Sequence, residues 1–134
     1  MRIHWLRVLV GGLLIEVVLA IVLLGGFAAA GVDISKGVST ASAVIIGIGC
    51  FVVAFLVVLW LGRAIQSQFV LHGLLMGLVA TLIYVGLVAG SGQMSTALDA
   101  YGPVTFVTLN ALRLAGAMLG GVAGERRRAA PAIL

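Results

Sequence analysis

The chain has 134 residues, of which 63% are hydrophobic and only 9% charged, with a formal net charge of +4. Soluble domains carry about 25% charged residues, so a water-facing globule is excluded and an integral membrane protein is the class that fits. The positive balance is not a nucleic-acid footprint, because the arginines stand at the ends of apolar runs rather than along a polar stripe.

A helix needs about 20 apolar residues at about 1.5 Å each to cross a bilayer, and four segments meet that length. The first covers residues 5–30. Arg2 and Arg7 give it a basic start, the stretch 8–24 is apolar, and it ends in Ala28-Ala29-Ala30, which resembles a signal-peptide cleavage site. The run is too long for a signal peptide and contains Glu16, so it is expected to stay in place as a spanning helix. A loop at 31–37 carries Asp33, Ser35 and Lys36. The second span covers 39–61 and holds the single cysteine, Cys50, which reads as a small buried packing residue. A tight connection at 62–67 carries Arg63, Gln66 and Ser67. The third span covers 68–90 and has His72 near its start. A polar loop at 91–100 holds Asp99, and Gly102-Pro103 marks the opening of the last span, 101–124, since proline is tolerated in a first turn. Residues 125–134 form a short cytoplasmic tail with Arg126, Arg127 and Arg128.

Orientation follows from the Lys/Arg bias. With the N-terminus cytoplasmic, the inner ends collect Arg2, Arg7, Arg63, Arg126, Arg127 and Arg128, while the outer loops collect Lys36, Asp33 and Asp99. The expected fold is therefore an all-α, integral membrane four-helix up-down-up-down bundle, N-in/C-in, with the first and last helices as neighbours. A faint repeat relates helix one to helix three: Gly12-Leu13-Leu14 matches Gly73-Leu74-Leu75, with Val18 and Val79, and Gly25 and Gly86, at the same offset. Trp5 and Trp60 at one side and Tyr101 at the other read as interfacial anchors. The terminal arginines read as a topology signal or a contact for anionic lipid head groups.

Lipid tails are as apolar as leucine, so small residues that let backbones approach hold such helices together. The last helix carries Gly116, Gly120 and Gly124 four residues apart; the third carries Gly73 with Gly77 and Gly86 with Gly90; the second has Ser42, Gly47 and Gly49, and the first has Gly12. These faces serve either packing inside the bundle or an interface with a second copy or a larger membrane complex.

Two charges interrupt the pattern. A charge at the bilayer centre costs about 2.5–3.5 kcal/mol on insertion scales. Glu16 lies nine residues beyond Arg7, roughly 13–14 Å deep, and Arg113 eleven residues before Gly124, roughly 16 Å deep. Half of a core of about 30 Å is about 15 Å, so both sit near the midplane. Asn110 lies one turn from Arg113 and can share its carboxylate. Three readings stay open: a structural clamp between helices one and four, a proton- or cation-coupled site using Glu16, or contact of either charge with a partner subunit. His72 is a secondary candidate for proton relay or pigment binding. His4 and His72 do not form the matched helical pair a bis-histidine haem needs, and no metal, cofactor or enzyme arrangement is expected.

The segments RVLVGGLLIE (7–16), FVLHGLLMGLVATLIY (69–84) and LRLAGAMLGG (112–121) resemble uncharacterised four-helix bacterial inner-membrane proteins. That resemblance implies a bacterial inner-membrane location and brings no activity. Gly11-Gly12 followed by Glu16-Val17 is similar to helix one of the small multidrug resistance exporters, which implies a membrane-embedded carboxylate for coupled cation export. Arg113, and the lack of a tryptophan in helix three, depart from that family.

Overall fold

The computed structural model describes residues 3–29, 31, 38–65 and 68–129. Arg2, Asp33, Ser35, Lys36, Gln66 and Ser67 lie outside the described residues. Five helices follow in order: α1 (Trp5–Ala29), α2 (Thr40–Leu61), α3 (Phe69–Gly90), α4 (Met94–Tyr101) and α5 (Pro103–Ala129), with a 3-10 turn at Gly62–Ala64 after α2. Four of them, all but α4, are long and apolar enough to cross a membrane. At about 1.5 Å per residue they run from about 33 to about 40 Å, somewhat more than a hydrocarbon core of about 30 Å.

The boundaries have local causes. Ser39 caps α2, its side chain accepting from the Ser42 backbone N–H at 3.1 Å, which satisfies one of the amides a helix start leaves open. Gly92 and Gly102 have positive φ and bracket α4, and Pro103 then opens α5. Two expectations change here. The polar loop at 91–100 contains helix α4, because Met94–Tyr101 has no glycine or proline inside it. The last helix runs on through Arg126, Arg127 and Arg128 to Ala129 instead of ending at Gly124 in a tail; arginines suit a final turn, where the open carbonyls carry partial negative charge.

The packing order also differs from the sequence order. α5 packs most closely on α2 and next on α3, while α1 packs on α3 and α2. Around the bundle the order is thus α1, α3, α5, α2. The first and last spans are diagonal, not neighbours as expected, and so are α2 and α3. Gly11 faces Met76 and Gly12 faces Val79, so α1 and α3 run parallel; Gly47 faces Leu112, Gly116 faces Phe51 and Gly120 faces Phe55, so α2 and α5 run parallel as well.

Close backbone approach explains this order. A Cβ on Gly116 would collide with the carbonyl oxygen of Phe51, and one on Gly120 would stand 2.5 Å from that of Phe55. On its other side α5 meets α3 the same way: Gly121 faces the Phe69 carbonyl at 2.5 Å, Gly73 faces that of Ala117, and Gly77 faces the Ala117 Cβ at 2.8 Å. Gly124 is looser, 3.5 Å from the Phe69 ring. Gly25, Gly26, Gly86 and Gly90 meet nothing within 4 Å.

Those free glycines mark a difference between the two ends. Tight packing fills the half where α1 begins and α5 ends, hereafter the arginine end, with Val8, Ile15, Val58, Phe69, Met76 and Ala117 buried. Towards α4 the helices part. Grooves of about 430 Å³ between α2 and α5 and about 470 Å³ between α1 and α2 open there. The outward faces are as apolar as the interior, with Leu6, Ile21, Leu24, Ile48, Leu82 and Val107 all exposed, as expected of helices whose solvent is lipid.

The glycines separate two outcomes. Gly116→Ala is expected to push α5 off α2 and destabilise the protein by about 1–3 kcal/mol, the cost of overpacking a tight contact. Gly86→Ala, with open space at its Cβ, is expected to be neutral or to stabilise by up to about 1 kcal/mol through helix propensity. Denaturant titration in mixed micelles, followed by circular dichroism, measures both.

Candidate functional site

The polar locus forms where the tight half of the bundle gives way to the splayed half. Each long helix places one inward stripe at helical spacing. On α2 the stripe Gly47, Cys50, Ala54, Val57 points inward, and on α3 Gly73, Met76, Gly77 and Ala80 do. Continuing these stripes brings Cys50 from α2 and Tyr84 from α3 to the level of Glu16 on α1 and Arg113 on α5.

Arg113 is 3% exposed, and its Nη1 lies 3.0 Å from Glu16 Oε1, whose side chain is 13% exposed. Among the described residues Oε1 accepts no hydrogen bond, so the contact is one of charge. Nη1 instead donates to Asn110 Oδ1 at 3.3 Å. The Asn110 amide donates in turn to the Phe106 carbonyl at 2.9 Å, which fixes its orientation. The guanidinium lies over the Tyr84 ring, 4.9 Å from its centroid, and Tyr84 rests against Phe106. Arg113 Nε is buried with no acceptor among the described residues. Because α1 and α5 are diagonal, the pair reaches through the centre of the bundle between α2 and α3.

Two small cavities adjoin the locus. One of about 70 Å³ has Cys50, Tyr84, Tyr101, Asn110 and Arg113 on its walls. The other, of about 240 Å³, is lined by Glu16, Phe27, Tyr84, Tyr101 and leucines of α1. Tyr101, read from sequence as an interfacial anchor, is half-buried and belongs to both walls. Cys50 is buried as expected, but beside the charge pair. Trp5 and Trp60 are 57% and 60% exposed, as anchors would be.

His72 is a separate site. It is fully buried near the arginine end. Its Nδ1 is 2.9 Å from the Gln68 carbonyl, and its Nε2 accepts from the His4 backbone N–H at 3.2 Å. The tautomer protonated at Nδ1 satisfies both contacts and leaves no ring nitrogen for a ligand. The residue ties the segment before α1 to the start of α3, whose preceding Gln68 holds a left-handed conformation. Among the described residues no three His, Cys, Asp or Glu side chains come together as a metal site requires.

Glu16, Arg113 and Asn110 are thus brought together, but Asn110 bonds Arg113 and the Phe106 carbonyl rather than sharing the Glu16 carboxylate as expected, and His72 is not among them. Tyr84 was missed; the glycine spacing 73–77 extended by seven residues is the signal that points to it. Tyr84→Leu is expected to cost about 1–2 kcal/mol beyond lost packing, the range of a desolvated cation–π contact, while Tyr84→Phe keeps the ring and most of that stability. Comparing the two by thermal unfolding in detergent tells the ring from the hydroxyl.

Comparison with protein-family models, with curated proteins and with solved structures gives no match for this chain.

Proposed function

We propose that this chain is a small multi-pass protein of a bacterial inner membrane, with both termini cytoplasmic and a structural or accessory role. In this reading it serves membrane assembly, alone, as a homodimer or within a larger complex, and is not an enzyme. Four long apolar helices support the membrane setting. Arg7, Arg63 and Arg126–Arg128 gather at one end and Asp99 stands at the other, which favours N-in and C-in.

The observation that carries the structural reading is the 3.0 Å approach of Arg113 to Glu16 at the centre of the bundle. Each charge is the other's nearest compensation, so neither is free to hold a cargo ion while the pair stands. The pair joins α1 to α5, which stand on opposite sides of the bundle, and so acts as a strut across one diagonal. A second reading has one observation in its favour: Glu16 also forms part of a 240 Å³ cavity wall, as a carboxylate in proton- or cation-coupled transport would.

Removing one member of a buried pair leaves a lone charge and costs about 3–5 kcal/mol, whereas replacing both by apolar groups is often neutral. The structural reading expects Glu16→Gln and Arg113→Met each to lower unfolding free energy by that amount, and the double variant to recover most of it. Proteoliposomes carrying a pH-sensitive dye supply the opposing result. A proton or cation flux present in the parent and abolished by Glu16→Gln, with folding intact, rejects the structural reading in favour of transport.

A further inference from the structure

At the arginine end, three arginines from the end of α2 and the end of α5 line one cavity. Arg63 sits in the 3-10 turn that closes α2, and Arg127 and Arg128 sit on the last turns of α5. The space between them is about 290 Å³, completed by Leu59, Gly62 and Gly124. Among the described residues no carboxylate lines it; Glu125, next to Gly124, is not part of the wall.

Arg128 is fixed in place. Its Nη2 donates to the Arg63 carbonyl at 2.7 Å, and its guanidinium covers the Phe69 ring at 5.3 Å. A guanidinium carries five N–H donors in a fork that matches phosphate oxygens, and this anchoring uses one of them. The contact also takes up a carbonyl at the end of α2 that would otherwise repel an anion. With Arg128 held in place, three like charges on its wall and no counter-ion there among the described residues, the cavity has the chemistry of a phosphate site.

Its surroundings are those of an amphiphile. Trp60 and Leu56 lie one and two turns before Arg63, on one face of α2, and are exposed, Trp60 by 60%. Arginines thus cap an apolar track. We propose that the Arg63–Arg127–Arg128 cavity holds the phosphate of an anionic membrane lipid, whose acyl chains run along α2 past Trp60 and Leu56. Basic pockets between helices at the cytoplasmic surface take such head groups. Free phosphate would satisfy the arginines but leave the apolar track unused. The inference rests on the membrane reading above.

Trp60 reports on the site directly. Trp5→Phe protein, with Trp60 as its remaining tryptophan, is reconstituted in phosphatidylcholine containing a minor fraction of phosphatidylglycerol, with dibrominated chains on one lipid or the other. Brominated phosphatidylglycerol is expected to quench Trp60 several-fold more than its mole fraction gives. Arg63→Gln with Arg127→Gln, with helix content unchanged by circular dichroism, removes that excess, and Arg126→Gln, outside the cavity wall, keeps it. Quenching in proportion to mole fraction overturns the site, and so does an equal loss in Arg126→Gln, which means diffuse surface charge. Loss of the excess on adding inorganic phosphate at constant ionic strength assigns the cavity to free phosphate and overturns the lipid. Absence of quenching by either brominated lipid overturns the membrane reading itself, a result distinct from the others.

Discussion

α5 approaches both α2 and α3 closely enough that glycine faces carbonyl: Gly116 and Gly120 against Phe51 and Phe55 on one side, Gly121 and Gly73 at the α3 contact on the other. In lipid there is no hydrophobic drive to bring helices together, so surfaces that permit dense van der Waals contact decide who pairs with whom. This double contact makes α5 the hub of the bundle. It sets α1 on the far side, seals the arginine end, and delivers Arg113 to the middle of the fold rather than to its rim.

The polar layer occupies the boundary this packing creates. Below it Met76, Ile15, Ala80 and Ala117 are fully enclosed; above it the helices part, and Tyr101 from α4 reaches in beside Tyr84. A guanidinium fits such a boundary because its planar group can meet a carboxylate, an amide and an aromatic face at once. Glu16, Asn110 and Tyr84 supply those three contacts from α1, α5 and α3. The same residue type is used differently at the arginine end, where Arg128 meets a backbone carbonyl and the Phe69 ring.

Much of the architecture was legible from residue order. Runs of apolar residues of membrane-spanning length, interrupted by Gly31, Arg63 and Gly92, place the four long helices to within a few residues, because length and hydropathy are local properties. The matching depth of Glu16 and Arg113 was legible for the same reason: rise per residue is constant along a helix. Helix α4 was not, since Met94–Tyr101 is short and polar enough to read as loop. The end of α5 was not either, because arginines after an apolar run look like a tail until the helix is seen to carry them.

What the sequence by itself determined is the set of helices, the small residues available on each, and the presence of two opposite charges at one depth. What only the tertiary structure decided is neighbourhood. The depth match would have held for adjacent or diagonal helices alike, and short connections favoured adjacency. Diagonal placement follows from which glycine faces which carbonyl, a contact between residues such as Gly116 and Phe51 that are far apart in the chain. That placement turns the Glu16–Arg113 pair from a side-by-side link into a strut through the core, and it adds Tyr84 and Cys50 to the charge layer.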